Sequence, residues 1–213
     1  MREVPAAIEV NQVTKVFDKQ TILDHIDLTV PKGEIHGLIG RNGSGKTMLL
    51  QVICGLIKPT EGAVTVMGEP LQKGSFPKQL GALIEQPGFL PGFSGKKNLE
   101  LLASIQGTIG NDEIEATLRS VGLDPALKAP VRKYSMGMRQ RLGIAQAIME
   151  KPRVLLLDEP TNALDEEGLR DVHQLLLNLR DQGVTILIAS HNREEIDGLC
   201  DHVHRMEKGK LTS

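Results

Sequence analysis

The chain has 213 residues, of which 40% are hydrophobic and 24% charged, and its formal net charge is −2. This composition is typical of a globular protein and excludes an intrinsically disordered chain. The lack of a basic excess argues against a dedicated nucleic-acid-binding protein. Two cysteines, Cys54 and Cys200, exclude a disulfide framework and suit a reducing cytosol. No stretch approaches the roughly 18 apolar residues of a membrane span, and the N-terminus lacks the apolar block of a signal peptide.

The N-terminal part of the chain predicts strands followed by a helix. Apolar and polar residues alternate within 8–30, which is typical of strands joined by turns. The segment EIHGLI at 34–39 predicts a short buried strand. Apolar residues at helical spacing predict a helix over 46–57, and a further strand follows at 63–67.

The middle of the chain is predicted to be helical. The pattern over 86–151 indicates a small helical subdomain inserted between two halves of an α/β core. The apolar run at 154–157 predicts a buried parallel strand, and a helix at 166–180 with a strand at 184–189 completes a βαβ unit. The α/β core is thereby expected to comprise 1–85 and 152–213.

A glycine-rich turn, GRNGSGKT at 40–47, separates the predicted strand from the predicted helix. It matches the phosphate-binding loop pattern, in which glycines let backbone N–H groups point at phosphate oxygens. Lys46 would reach the β- and γ-phosphates of a nucleotide, and the Thr47 hydroxyl would bind Mg²⁺. The alternative is a chance glycine turn before a helix. The predicted nucleotide contacts are Asn42, Gly43, Ser44, Gly45, Lys46, Thr47 and Met48.

An acidic pair, Asp158 and Glu159, follows the buried strand in VLLLDEP at 154–160. Parallel α/β sheets bind ligands beyond the carboxyl ends of their strands, so Asp158 is expected to face Mg²⁺ through water. Glu159 lies one step nearer the γ-phosphate, where a carboxylate can orient or deprotonate the attacking water. The alternative is that both acids only cap the next helix.

Four further segments stand in order around these motifs: Phe17, YSMGM at 134–138, TNALD at 161–165 and SH at 190–191. With the phosphate loop and the acidic pair, they resemble the nucleotide-binding subunit of ABC transporters over almost the whole chain. The resemblance implies that Phe17 stacks on adenine and that His191 hydrogen-bonds the γ-phosphate and holds the water and Glu159.

The segment at 134–138 resembles the family's signature loop LSGGQ, with Met136 and Met138 in place of a Gly and a Gln. The resemblance implies that the Ser135 hydroxyl and the Gly137 N–H bind the γ-phosphate held by an opposite subunit. In TNALD, Asn162 stands where the family more often has Ser.

The segment LGALIEQP at 80–87 resembles the family's Q-loop, but the glutamine position is held by Glu85, and Gln86 follows one residue later. This variant resembles that of exporters for lantibiotic and bacitracin-type peptides. Glu85 would ligate Mg²⁺ in that register. Gln86 is the alternative ligand if the register shifts by one residue.

The resemblance implies a single ABC ATPase domain over 1–213, with a P-loop NTPase core of mixed or parallel sheet, an N-terminal antiparallel β region and the helical subdomain. It also implies hydrolysis of ATP with Mg²⁺ in a head-to-tail homodimer or pseudo-dimer. Transmembrane permease subunits would be the partners, on the inner face of the membrane. The resemblance implies membrane transport in the direction of export. The expected substrate is a peptide antibiotic, and the expected result is resistance to it. The alternative is an ATPase that acts on DNA or ribosomes.

Three smaller expectations follow. The apolar residues Phe89, Leu90 and Phe93 either form the dock for the permease or pack the helical subdomain. The histidines other than His191, including HVH at 202–204, are not expected to bind a metal, because no Cys or acid cluster completes a site in the sequence. Because the chain ends soon after EKGKL at 207–211, we expect the C-terminal regulatory domain of some relatives to be missing or removed.

Overall fold

The computed structural model describes residues 5–72, 74–85 and 87–212, and two β-sheets form its framework. The strands are, in chain order, β1 (Ala6–Phe17), β2 (Gln20–Pro31), β3 (Ile35–Ile39), β4 (Glu61–Val66), β5 (Glu69–Pro70), β6 (Leu80–Leu83), β7 (Val154–Asp158), β8 (Thr185–Ser190), β9 (His202–Glu207) and β10 (Lys210–Thr212). The helices are α1 (Lys46–Ile53), α2 (Gly95–Gln106), α3 (Asn111–Ser120), α4 (Met136–Ile148), α5 (Glu166–Asp181) and α6 (Arg193–Asp197), with a 3₁₀ turn at Val131–Lys133.

The first sheet is antiparallel, with the strand order β2-β1-β4-β5. The alternation over 8–30 produces it, because every second side chain of β1 and β2 faces the same side. Val10 opposes Leu28 in this pairing, and both side chains are buried. The predicted N-terminal β region is therefore confirmed as antiparallel.

The second sheet has the order β10-β9-β3-β8-β7-β6, and its strands from β9 to β6 are parallel. Every residue of β7 and β8 is buried, as the continuous apolar runs predict. The strand β6 was not predicted from the sequence, and it pairs with β7 at the sheet edge. Because β3, β6, β7 and β8 run in one direction, the loops that follow them meet at one edge of the sheet.

Two apolar cores hold the layers together. One lies between the two sheets around α1 and includes Leu38, Leu49, Ile53, Val64 and Leu156. The other lies between the parallel sheet and the helices α2 to α5 and includes Leu99, Leu142, Ile144, Leu176 and Ile188.

The helix expected over 46–57 ends four residues early, at Ile53. Gly55 follows with φ 83°, a left-handed conformation that favours glycine. A Cβ at this position would also collide with the Ser75 carbonyl oxygen. The helix therefore ends early because the backbone at Gly55 turns and passes close to the backbone of Ser75.

The helices α2, α3 and α4 lie in sequence between β6 and β7, within the predicted helical subdomain. The buried Tyr134, which lies two residues before α4, ties the start of that helix to α2, because its hydroxyl accepts a 3.0 Å hydrogen bond from the N–H of Gly95. Gly81 in β6 lies directly against the Ala147 carbonyl oxygen of α4 and leaves no room for a Cβ. These contacts fix α4 on the sheet.

In the described ranges, no helix is both long and apolar enough to cross a membrane.

Candidate functional site

The phosphate-loop segment lies between the carboxyl end of β3 and the first turn of α1. Gly43 has φ 77° and Gly45 has φ 110°, so the loop uses conformations that residues with a Cβ rarely adopt. Gly40 lies against the Met206 carbonyl oxygen, where a Cβ would collide. The glycines of the pattern therefore shape the loop, and its backbone is curled at the N-terminus of a helix.

The Lys46 side chain is folded back into this loop and is buried. Its Nζ donates a 2.7 Å hydrogen bond to the Gly40 carbonyl oxygen. It also lies 3.8 Å from Oε1 of Glu159. The ammonium is thus held inside the curl, where a phosphate oxygen could replace the carbonyl as its acceptor.

Among the described residues of this site, two buried polar atoms have no hydrogen-bond partner. These atoms are the Oγ of Ser44 and the Oδ1 of Asp158. Leaving such an atom unsatisfied costs about 1–3 kcal/mol. Ser44 belongs to the loop and Asp158 ends β7. An ion or a phosphate oxygen bound here would supply the missing partners.

Thr47 and Asp158 meet across the loop, where the Thr47 hydroxyl donates a 2.7 Å hydrogen bond to Oδ2 of Asp158. Burial raises the pKa of Asp158, and the nearby Glu159 and Glu85 carboxylates raise it further, whereas the Thr47 hydrogen bond lowers it. The Asp158 carboxylate, which has one oxygen without a partner, the Thr47 hydroxyl and the neighbouring carboxylates together form a set of hard oxygen donors. These residues fit a magnesium ion.

Glu159 adopts φ 49°, and its N–H donates a 2.8 Å hydrogen bond to the Ala189 carbonyl oxygen of β8. Its Oε2 lies 2.8 Å from Nδ1 of His191, which follows β8 and is half exposed. Neighbouring parallel strands therefore bring the acidic pair and His191 together at the edge predicted from the sequence. The Glu159 carboxylate lies between the Lys46 ammonium and the His191 imidazole.

Glu85 follows β6 at the same edge and adopts φ 59°. Its exposed carboxylate accepts a 3.3 Å hydrogen bond from Nε2 of Gln51 in α1. Glu85 is near enough to raise the pKa of Asp158. Gln86 lies outside the described residues, so the choice between Glu85 and Gln86 as the ligand stays open.

Phe17 ends β1 at the tip of a hairpin, where it pairs with Gln20 and is 46% exposed. The Lys15 ammonium lies 4.6 Å from the centre of its ring. The same hairpin touches the phosphate loop, because a Cβ on Gly45 would meet the Ile22 carbonyl oxygen at 3.1 Å. Phe17 therefore presents a solvent-exposed aromatic ring on the hairpin that lies beside the phosphate loop.

Ser135 and Gly137 lie apart from that loop, at the start of α4. The Ser135 hydroxyl caps the helix by accepting a 3.1 Å hydrogen bond from the N–H of Met138, and Met136 is 58% exposed. Gly137 lies against the Ala163 carbonyl oxygen of TNALD. Among the described residues, neither Ser135 nor Gly137 is hydrogen-bonded to 40–47.

Met48 is partly buried, and its side chain packs into the core between the sheets.

Gln140, which lies in RQR after the signature-like segment, has a role at the site that was not predicted from the sequence. Its Nε2 donates a 3.0 Å hydrogen bond to the Glu159 carbonyl oxygen and so links α4 to the acidic pair. The sequence carried no signal for this contact, because the two residues are 19 positions apart.

An acid that the sequence analysis did not pair with HVH lies beside this segment. Glu34 lies beside His36 and His202, and one ligand atom from each lies within 4.8 Å of the others. Glu34 is distant in sequence from 202–204, and the parallel pairing of β3 with β9 brings it close.

Residues 23–162 match the ABC transporter family. The chain is 49% identical over 205 residues to an uncharacterized ABC transporter ATP-binding protein, YybJ, from Bacillus subtilis strain 168, covering 96% of this chain and 94% of the relative. It is 40% identical over 207 residues to the bacitracin transport ATP-binding protein BcrA from Bacillus licheniformis, covering 96% of this chain and 68% of the relative.

The fold is also that of a solved dimeric structure of a bacterial ABC transporter cassette. The two superpose with a TM-score of 0.88 at 24% identity, over 97% of each chain. The alternative function on DNA or ribosomes finds no support, since both named relatives are transport or transporter proteins. The chain therefore belongs to the ABC transporter family, and its relatives there are ATP-binding proteins.

Proposed function

We propose that the chain binds ATP with Mg²⁺ and hydrolyses it to ADP and phosphate to power transport through a membrane partner. The observation that carries the proposal is the position of the Glu159 carboxylate, 3.8 Å from the Lys46 ammonium and 2.8 Å from His191 Nδ1. A carboxylate between a phosphate-binding cation and a histidine is placed to act on water at the terminal phosphate.

The phosphate tail is bound by the segment Asn42–Met48, with Lys46 as its cation. On binding, the Lys46 ammonium exchanges the Gly40 carbonyl for the β- and γ-phosphate oxygens. The Ser44 hydroxyl, which lacks a partner, can donate to the same oxygens. The N–H groups of the curled loop and the positive end of the α1 dipole add to this attraction. Phe17 stacks on the adenine with its exposed ring.

The Thr47 hydroxyl and Asp158, whose Oδ1 has no other partner, would hold Mg²⁺. Glu85 or Gln86 supplies a further ligand. When bound, the ion neutralises negative charge on the phosphate oxygens. Filling the site also removes the cost of leaving Asp158 buried and half satisfied.

Glu159 is the general base of the hydrolysis. Its carboxylate accepts a proton from a water molecule while the water oxygen bonds to the γ-phosphorus. The bond from the γ-phosphorus to the bridging oxygen breaks, and that oxygen leaves with ADP. His191 donates from Nδ1 to the Glu159 carboxylate, and it can donate to the γ-phosphate instead when its side chain turns toward the nucleotide.

A second copy, or a homologous subunit, completes each site. Ser135 and Gly137 are separate from the phosphate loop of their own chain and stand at the N-terminus of a helix of 13 residues. Such a helix end suits a phosphate. In a head-to-tail homodimer or pseudo-dimer, these two residues bind the γ-phosphate held by 40–47 of the opposite copy.

Transmembrane permease subunits convert closure of this dimer into transport. The chain then lies on the cytoplasmic, inner face of the membrane. The similarity to a bacitracin transport protein favours export of a peptide antibiotic as the task. Leu90 and Phe93 are about half exposed and suit a permease contact, whereas Phe89 packs against the helical core.

The test compares phosphate release by the wild type and by Glu159→Gln in the presence of ATP and Mg²⁺. The amide keeps the size of the side chain but cannot accept the proton, so the variant should bind ATP, fail to hydrolyse it and form a dimer in size-exclusion chromatography. Glu69→Gln, at an exposed edge strand, is the matched control and should behave as the wild type. Normal hydrolysis by Glu159→Gln would place the base elsewhere.

A further inference from the structure

Three histidines and a glutamate cluster at one end of β3 and β9, away from the phosphate loop. His36 is the second residue of β3, and the loop begins after Ile39, so Gly40 lies four residue steps along the chain from His36. That is about 13 Å at the usual rise per residue. The cluster lies toward the amino ends of the parallel strands, and the nucleotide residues lie beyond the carboxyl ends.

The pairing of the strands explains why these residues meet. His36 is the register partner of His202 in the parallel pair β3–β9, so their side chains leave the same face. Glu34 precedes His36 by two residues and therefore also projects to that face. His204 follows His202 by two residues and lies on the other side of His36, at 5.0 Å between ring centres.

The ligand atoms lie at distances that suit one metal ion. Oε2 of Glu34 is 2.8 Å from Nε2 of His36 and 3.8 Å from Nε2 of His202. Zinc binds imidazole nitrogen and carboxylate oxygen at about 2.0–2.2 Å, which places the ligand atoms of a tetrahedral site about 3.4 Å apart. The two measured distances lie on either side of that value. Small side-chain rotations are enough to form the site.

The surroundings hold His36 in the orientation that binding requires. His36 is 3% exposed, and its Nδ1 lies 2.9 Å from Nε2 of His204. With a metal on Nε2, the remaining proton of His36 is on Nδ1, and His204 accepts it. Metal-binding histidines almost always have such a partner for the second ring nitrogen.

Two imidazole nitrogens with one carboxylate oxygen prefer zinc, copper or nickel to magnesium or calcium.

We propose that Glu34, His36 and His202 bind a divalent transition-metal ion of the Zn²⁺ class, at a site distinct from the nucleotide site. Three protein ligands leave a fourth position for water or for a side chain of another molecule. His202 is largely exposed, so that position faces solvent. The ion would join the start of β3 to the start of β9.

The test titrates the intact, EDTA-treated protein with Zn²⁺ in competition with a chromophoric chelator. The wild type should bind one Zn²⁺ that is lost in His202→Ala, Glu34→Gln or His36→Gln. His204→Ala should weaken binding by about 10- to 100-fold, which is the usual effect of removing such a second-layer partner. His25→Ala is the matched control, because His25 is an exposed histidine beside a single carboxylate, Asp24, and should bind Zn²⁺ as the wild type does.

Co²⁺ absorption identifies the ligands directly. The site should give the visible bands of a tetrahedral nitrogen and oxygen site without a thiolate charge-transfer band. His202 is on the surface, so circular dichroism should show that His202→Ala folds normally. Unchanged Zn²⁺ affinity in both His202→Ala and Glu34→Gln, no binding by the wild type, or a thiolate band from Cys54 or Cys200 would each overturn the proposal.

Discussion

The Thr47 hydroxyl donates a 2.7 Å hydrogen bond to Oδ2 of Asp158, across 111 positions of the chain. Thr47 belongs to the first turn of α1 and Asp158 ends β7, so the bond ties the phosphate loop to the acidic pair. The two residues proposed to hold Mg²⁺ are therefore in place before the ion binds. A preset site loses less conformational entropy on binding than one that must be assembled.

Replacing Lys46 should abolish ATP turnover. Lys46→Ala removes the buried ammonium that faces the phosphate oxygens, and loss of one such stabilising group lowers kcat by at least about 100-fold. The measurement is phosphate release at saturating ATP. Lys58→Ala, at an exposed position beyond the same helix, is the control and should retain activity. Full activity of Lys46→Ala would contradict the phosphate-loop assignment.

His191 should affect kcat more than nucleotide affinity. It orients the Glu159 carboxylate through Nδ1, and the loss of that orientation in His191→Ala should lower kcat by about 100-fold, the lower end of general-base effects. The KM for ATP should change little, because the phosphate loop stays intact. Steady-state kinetics separate the two effects, with His25→Ala as the control. A rise in KM at constant kcat would instead make His191 a binding residue.

Asp158→Asn should stabilise the nucleotide-free protein. Burial raises the pKa of Asp158 above its ordinary value of 3.8, so the folded chain holds the proton more tightly than the unfolded chain. The free energy of unfolding of the wild type should therefore fall, relative to Asp158→Asn, as the pH rises above 3.8. At pH 7 the variant should be the more stable of the two, because it does not bury an ionised carboxylate.

Urea unfolding at several pH values in EDTA measures this difference. Asp18→Asn, at an exposed turn position, is the control and should show no such trend. Equal stability of the wild type and Asp158→Asn at every pH would mean that the carboxylate carries no cost in the empty site.

The residue that completes the magnesium site can be found by comparing Glu85→Ala with Gln86→Ala in the assembled transporter. Glu85 raises the pKa of Asp158 and so lies near it, and we expect Glu85→Ala to cause the greater loss of ATP hydrolysis and the greater rise in the Mg²⁺ requirement. A greater loss from Gln86→Ala would shift the register of the Q-loop-like segment by one residue.

The main lines of the fold could be read from local patterns. The alternation over 8–30 specifies β1 and β2, and the unbroken apolar runs specify β7 and β8, because each pattern matches one way of burying a strand. The strand β6 was missed because its sequence, LGAL, is short and contains a glycine. That glycine is explained only by the close approach of Ala147 from α4.

The candidate site was also predictable where its residues lie in continuous motifs. Lys46, Thr47, Asp158 and Glu159 follow strand ends, and parallel pairing places strand ends together. The early end of α1 depends on a contact with Ser75 that the sequence does not show.

The cluster of Glu34, His36 and His202 depends on long-range pairing in the same way. The alternation of HVH indicated one face of a strand, but the carboxylate comes from the residue that precedes the neighbouring strand β3. The link from Gln140 to Glu159 likewise joins a helix and a strand end that are separate in sequence.

The most direct test of the account is the crystal structure of Glu159→Gln with ATP and Mg²⁺. The account predicts a head-to-tail dimer in which the Ser135 hydroxyl and the Gly137 N–H of one copy bind the γ-phosphate held by 40–47 of the other. A nucleotide enclosed by a single copy in the closed state, with 135–137 turned away from every nucleotide, would contradict it.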